Sequence, residues 1–131
     1  MESIETKALI RNTSAAQIYN DWLNSQGHEA MTGGEAKAQA IVGTEHSAWD
    51  GYISGKQLEL DKARYIKQSW RSTEFGDQDP DSILEVFLSD TDDGCEVRLV
   101  HSDIPDGQGK SYKSGWHEHY FDPMNKYYNS K

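Results

Sequence analysis

Hydrophobic and polar residues alternate at the start of the chain and again through most of its second half. In the opening segment SIETKALIRN, Ile4, Thr6, Ala8 and Ile10 fall on one side and mostly charged residues on the other, which is the period of a half-buried β-strand. Six short segments of similar character follow from about residue 35, separated by Gly, Asp, Asn or Pro: AKAQAIVG, SAWDGYISG, QLELDKA, RYIKQSWRS, ILEVFLSD and CEVRLVHSD. Their close spacing favours hairpins over crossover helices and predicts an antiparallel meander.

Two other regions have helical spacing. NTSAAQIYNDWLNSQG offers Thr13 or Ser14 as an N-cap and Gly27 as a stop, and HEAMTGGEA predicts a further helical turn. In the last 20 residues an aromatic-rich stripe predicts a long helix that Pro123 would kink. The stripe consists of Trp116, Tyr120, Met124 and Tyr127. The predicted order is β-α-α-β-β-β-β-β-β-α in a single α+β domain over residues 1–131, with the helices on one face of the sheet.

The clearest predicted hairpin is ILEVFLSDTDDGCEVRLV, with a turn over residues 90–93. That turn places apolar pairs on the inner face and one opposite-charge pair on the outer face. The predicted partners are Leu84 with Leu99, Val86 with Val97, and Glu85 with Arg98. The same register turns Ile83, Phe87 and Val100 outward, as a modest apolar patch that suits a weak homodimer; a monomer is the alternative.

The stretch AWDGYISG sets two aromatic residues beside two glycines. We interpret it as a strand in which Gly51 permits a bend or bulge and Gly55 supplies the turn to the next segment. Alternation then places Trp49 and Ile53 on the inner face, and Asp50 is expected to be solvated.

Composition restricts the class of partner. The 13 basic and 22 acidic residues give a formal net charge of −9, which disfavours nucleic acids and anionic membrane surfaces. There is one cysteine, Cys95, no signal-peptide pattern at the start of the sequence and no apolar run of about 18 residues. We therefore expect a soluble, cytoplasmic protein.

Several segments together resemble a known family. AWDGYISGKQLELDKARYIKQSWR, the preceding GHEAMTGG, and SDIPDG…YKSGWHEHYFDPM are similar, in order, to homologues of the activator of the heat-shock protein 90 ATPase. That family lies within the START-related, birch-pollen-allergen-like (SRPBCC) superfamily. The resemblance implies a helix-grip fold, in which a curved antiparallel sheet wraps around a long C-terminal helix. In many relatives the space between sheet and helix holds a hydrophobic ligand.

The inner face of that fold supplies the candidate site. Apolar and aromatic side chains of the sheet and helix are expected to line a cavity for a small hydrophobic or aromatic molecule. The candidate lining residues are Trp49, Ile53, Ile66, Trp70, Val86, Leu99, Trp116, Tyr120 and Met124. The alternative is that these side chains fill the space themselves.

No catalytic constellation is visible, so we expect a protein that is not an enzyme and carries no cofactor. His117 and His119 lie about 200° apart on a helix and cannot share one metal ion. Glu118 and His119, next to the aromatic stripe, could still contact a ligand at the mouth of the cavity. We interpret Cys95 as a small buried hydrophobic residue. An enzyme such as a cyclase or hydrolase, as in some helix-grip relatives, is a weaker alternative.

The resemblance also suggests a protein partner. A relative of the ATPase activator could contact a chaperone of the heat-shock protein 90 type through its surface. In the co-chaperone itself a separate N-terminal domain supplies much of the stimulation, so that activity does not simply carry over.

Overall fold

The computed structural model describes residues 1–130 and has a strand, two short helices, six further strands and a long helical segment. The elements are β1 Glu2–Arg11, α1 Ala15–Trp22, α2 Ser25–Thr32, β2 Ala36–Lys37, β3 Glu45–Ala48, β4 Ile53–Asp61, β5 Tyr65–Ser72, β6 Ser82–Asp90, β7 Gly94–Ile104, α3 Gly109–Trp116, a π-helical turn His117–Phe121, and α4 Asp122–Asn129. This order and the α+β class confirm the prediction.

One antiparallel sheet holds all seven strands, in the order β1-β7-β6-β5-β4-β3-β2. Its inner face is apolar because buried and half-exposed residues alternate along β5 and β6, as expected of a sheet covered on one side. The curved sheet grips the segment from α3 to α4, and α1 and α2 close one side of the core. The arrangement is the helix-grip fold.

The two short helices are separated by a new N-cap rather than by a glycine stop. Ser14 Oγ accepts a hydrogen bond from the Gln17 amide and caps α1. The side chain of Asn24 accepts from the amide of Gly27 and starts α2. The prediction that Gly27 ends the first helix was therefore wrong, because capping at Asn24 places Gly27 in the first turn of α2.

In the β6–β7 hairpin the side chains lie on the predicted faces of the sheet, but the residues that pair across the two strands differ from the prediction. Thr91 and Gly94 exchange backbone hydrogen bonds across the turn, so Val86 pairs with Leu99 and Phe87 with Arg98. The register thus differs by two residues from the prediction. Because a shift of two preserves the alternation of faces, the four predicted inner residues are still buried.

The stretch AWDGYISG contains a turn between β3 and β4. The prediction that it forms one strand was therefore wrong. Trp49, Asp50 and Gly51 have φ values of 53°, 57° and 85°, and three successive left-handed residues reverse the chain between β3 and β4. Gly55 lies inside β4 opposite His46. A Cβ there would lie 1.8 Å from the Ser69 carbonyl oxygen, so close backbone approach, not a turn, requires this glycine. Asp50 is exposed, as expected.

The C-terminal helix contains a π-helical turn just before Pro123. The Asp122 amide donates to the His117 carbonyl, five residues back. Pro123 has no amide hydrogen and its ring crowds the preceding turn, so the wide turn accommodates it. The extra residue rotates the second half of the helix, and Tyr128 rather than the predicted Tyr127 completes the buried stripe.

The outer face of the sheet carries the predicted apolar patch, but neighbouring side chains cover part of it. Ile83, Phe87 and Val100 point outward and are half-buried. The Phe87 ring lies 5.1 Å from the Tyr65 ring, and the Arg98 guanidinium lies 4.2 Å above it. A weak dimer through this patch stays a prediction. Among residues 1–130, no helix combines the length and apolarity needed to cross a membrane.

Candidate ligand-binding site

A cavity of about 310 Å³ opens to solvent between the β3–β4 turn, strand β5 and the first half of the C-terminal helix. The turn supplies the first wall, β5 the floor, and α3 with the π-helical turn the opposite wall. The lining residues are Trp49, Tyr52, Ile53, Trp70, Ser111, Tyr112, Gly115, Trp116, Glu118, His119 and Tyr120.

Five of the nine candidate residues line this cavity: Trp49, Ile53, Trp70, Trp116 and Tyr120. The other four, Ile66, Val86, Leu99 and Met124, are at most 1% exposed and pack in the core. The space under the helix is thus filled in its central part and open at one end. That any of the nine contacts a ligand stays a prediction.

Glu118 and His119, expected at the mouth of the cavity, belong to its lining. Four lining residues were not predicted: Tyr52, Ser111, Tyr112 and Gly115. Helical spacing could have found two of them, because Tyr112 lies four residues before Trp116 and Gly115 lies four residues before His119. Residues at this interval share one face of a helix. Tyr52 was missed because the turn that carries it was predicted as strand.

The floor of the cavity is a cluster of aromatic rings around Trp70. Its indole lies 4.9 Å from the Tyr112 ring and 5.8 Å from the Trp116 ring, with edge-to-face or tilted geometry. Trp116 in turn lies 4.9 Å from Tyr120. These distances are typical of favourable aromatic pairs.

A buried hydrogen-bond chain holds two of these rings. The Trp116 indole donates to His101 Nδ1 at 3.3 Å, His101 Nε2 lies 2.8 Å from Ser82 Oγ, and that hydroxyl donates to the Trp70 carbonyl at 2.6 Å. Because an indole only donates, His101 must be neutral with its proton on Nε2. Burial lowers the pKa of His101 to about 3.

A second buried histidine holds Tyr120. His28 Nδ1 donates to the Trp22 carbonyl at 2.9 Å, and its Nε2 accepts from the Tyr120 hydroxyl at 2.7 Å. Burial lowers the pKa of His28 to about 4 and raises the pKa of Tyr120. The Tyr120 hydroxyl therefore faces His28, and the ring completes the cavity wall.

The rim differs from the floor in having free polar groups. The Tyr112 hydroxyl at the floor donates to Gln108 Oε1 and also contacts Ser72 Oγ, each at 2.6 Å. In contrast, Glu118 lies at the rim, three-quarters exposed, with one ion-pair contact at 4.0 Å, to His119. Internal hydrogen bonds thus engage the polar atoms of Tyr112, Trp116 and Tyr120, whereas the Glu118 carboxylate is available to a ligand at the rim.

Trp49 forms the wall next to the turn under unusual constraints. Its indole lies against Gly34, where a Cβ would come within 2.5 Å of the ring, and 5.3 Å from the His119 ring. Its Nε1 is buried and has no hydrogen-bond partner among the described residues. Together with the positive φ, this makes Trp49 the most strained part of the lining.

A comparison with models of known protein families identifies the family of this chain. Residues 12–129 match the family model described as "Activator of Hsp90 ATPase homolog 1-like protein". The chain belongs to this family. The match covers the helices, the sheet from β2 to β7 and the C-terminal helix, and it confirms the resemblance found in the sequence. No curated protein matches.

Solved structures share the fold of this chain at low sequence identity. An HSP90 activator from Plasmodium falciparum is 19% identical, with 96% of this chain and 95% of that chain covered and a TM-score of 0.82. A Mesorhizobium loti protein is 16% identical over 99% and 98%, with a TM-score of 0.80. The Aha1 dimer from Colwellia psychrerythraea is 15% identical over 91% and 90%, with a TM-score of 0.74.

Two other reactive side chains, those of Cys95 and His117, do not line the cavity. Burial raises the pKa of the Cys95 thiol to about 11, which disfavours the thiolate. His117 Nε2 lies 2.7 Å from Thr6 Oγ1, whereas His119 faces Trp49. Within residues 1–130, no three side chains of His, Cys, Asp or Glu are grouped so that they could hold a metal ion.

Proposed function

We propose that this protein binds a small apolar or aromatic molecule in the open cavity, without catalysing a reaction on it. The observation that carries the proposal is a set of three lining rings, Tyr112, Trp116 and Tyr120, whose polar atoms are hydrogen-bonded inside the protein. These rings offer apolar contact without an unpaired polar group of their own to desolvate.

The volume supports the same class of ligand. At about 310 Å³, the cavity lies at the lower end of the range found for small-molecule sites. Its open side gives a ligand direct access from solvent. Three of the four tryptophans, Trp49, Trp70 and Trp116, line the cavity, so bound molecules should change the intrinsic fluorescence.

Filling part of the cavity should weaken binding without disturbing the fold. A Cβ at Gly115 would meet only His119 Cδ2, at 3.8 Å, so Gly115→Leu extends into the open space and also improves helix propensity. In fluorescence titrations with fatty acids, sterols and aromatic compounds, we expect the tightest binder to lose about tenfold or more in affinity, equivalent to about 1.4 kcal/mol.

Ser114→Leu is the matched control, because Ser114 is exposed on the same helix and does not line the cavity. It should leave affinity unchanged. Titrations that show no binding by the folded wild-type protein would refute the proposal, as would equal binding by both variants.

A second candidate function is contact with a chaperone of the Hsp90 type. Family membership and the shared fold with the Plasmodium falciparum activator favour it. We expect the purified protein to co-sediment with Hsp90 from the same cell and to change its ATPase rate. A Gly115→Leu variant should retain this effect if the contact is made by the outer surface. No association and no rate change at micromolar concentrations would refute this candidate.

A further inference from the structure

We propose that the cavity selects a positively charged amine attached to an apolar body, and that Glu118 at the rim sets this preference. The inference rests on the proposed binding function and names the chemical class of its ligand. Three features of the lining carry it: the aromatic rings, the distribution of charge, and the free carboxylate at the rim.

The walls present the surface that attracts cations. Six of the lining residues are aromatic: Trp49, Tyr52, Trp70, Tyr112, Trp116 and Tyr120. The face of an aromatic ring carries negative charge density, and cages of such rings bind ammonium groups. The same faces repel a carboxylate and offer it no hydrogen bond.

The charge of the lining has one sign. Glu118 is the carboxylate of the lining, and no lysine or arginine contributes to it. The lysines of the adjacent helix, Lys110 and Lys113, lie outside the lining. With a formal net charge of −9 on the whole chain, the field at the opening favours a cation over an anion.

The rim can pair with an ammonium group that stays near water. The ion-pair contact of Glu118 is with His119 at 4.0 Å, and its side chain is 75% exposed, so the carboxylate is free to turn towards a ligand. The Tyr52 hydroxyl has no protein partner among the described residues and adds an acceptor. Because the polar atoms of Tyr112, Trp116 and Tyr120 are already hydrogen-bonded inside the protein, the apolar body packs on these rings and the amine remains near water at the rim.

Three ligands with one body test the preference: 2-(2-naphthyl)ethylamine, 2-(2-naphthyl)ethanol and 2-naphthylacetate. At pH 7.5 and low salt we expect the amine to bind about tenfold more tightly than the acetate, with the alcohol between them. Glu118→Gln should lower the affinity for the amine by about three- to tenfold and leave the alcohol unchanged.

Asp122→Asn is the matched control, since it removes the same charge from an exposed position on the same helix that does not line the cavity. It should leave the preference intact. Equal affinities for the three ligands, or tighter binding of the acetate, would overturn the inference while the proposed binding function stands. An unchanged preference in Glu118→Gln would overturn the role of that residue. No binding of any naphthyl ligand would overturn the inference, whereas the proposed function fails only if the fatty acids, sterols and aromatic compounds of the fluorescence titrations do not bind either.

Discussion

Adding one methyl group at Gly55 is expected to destabilise the protein by about 3 kcal/mol or more, because two strands would have to separate. The Cβ of an alanine there would lie 1.8 Å from the Ser69 carbonyl oxygen and 2.7 Å from His46 Nε2. The first contact is with backbone of β5, which cannot move aside as a side chain can. Urea denaturation of Gly55→Ala should show the loss directly.

Replacing Gly115 by alanine should instead raise the free energy of unfolding. Its Cβ would enter open space, and alanine is favoured over glycine in a helix by about 0.8–1 kcal/mol. Gly115→Ala is therefore the control for the chemical change itself. A Gly55→Ala protein as stable as wild type would show that β4 and β5 do not approach as described.

Acidification is expected to remove a large part of the stability between pH 7.5 and pH 5. His28 and His101 are buried and neutral, with pKa values lowered to about 4 and about 3, while the unfolded chain binds a proton at each near pH 6.5. The unfolded state thus takes up more protons as pH falls below 6.5, and stability decreases. Each histidine should contribute a loss of about 2 kcal/mol at pH 5.

The measurement is the free energy of unfolding at the two pH values for wild type, His28→Gln and His101→Gln. Each variant should be less stable than wild type at both pH values. The informative quantity is therefore the decrease in the free energy of unfolding from pH 7.5 to pH 5. This decrease should be smaller than in wild type by about 2 kcal/mol in each variant. Imidazole NMR of the wild type should show neutral rings at pH 5, with the proton on Nδ1 of His28 and on Nε2 of His101. Protonated rings at pH 5 would contradict the assignment.

The sequence predicted which face of the sheet a side chain lies on better than it predicted which residues pair across neighbouring strands. Inner residues of β6 and β7 were identified because alternation with a period of two survives a shift of the register by two residues. The pairing itself depends on which residues close the turn, and the Thr91–Gly94 exchange of hydrogen bonds is a local geometry that the pattern does not encode.

The turn at Trp49 could not be predicted by propensity. Tryptophan favours strands and a positive φ is rare for so bulky a residue, yet packing against Gly34 and His119 outweighs that preference. Five of the eleven lining residues were in the candidate set, and two of these, Trp116 and Tyr120, were visible as part of an aromatic stripe on a helix. The rest depended on this turn and on which part of the space under the helix the core fills.

The π-helical turn divides the long helix into two halves that make different contacts. The half before Pro123 surrounds the cavity, whereas α4 is tied to the core, with Tyr128 contacting Asp21 and Asn125 bonded to the backbone of β1. If the proposed function holds, substitutions at exposed positions of residues 109–121 should change ligand preference more than the free energy of unfolding. Substitutions at the buried positions of residues 122–129 should do the reverse.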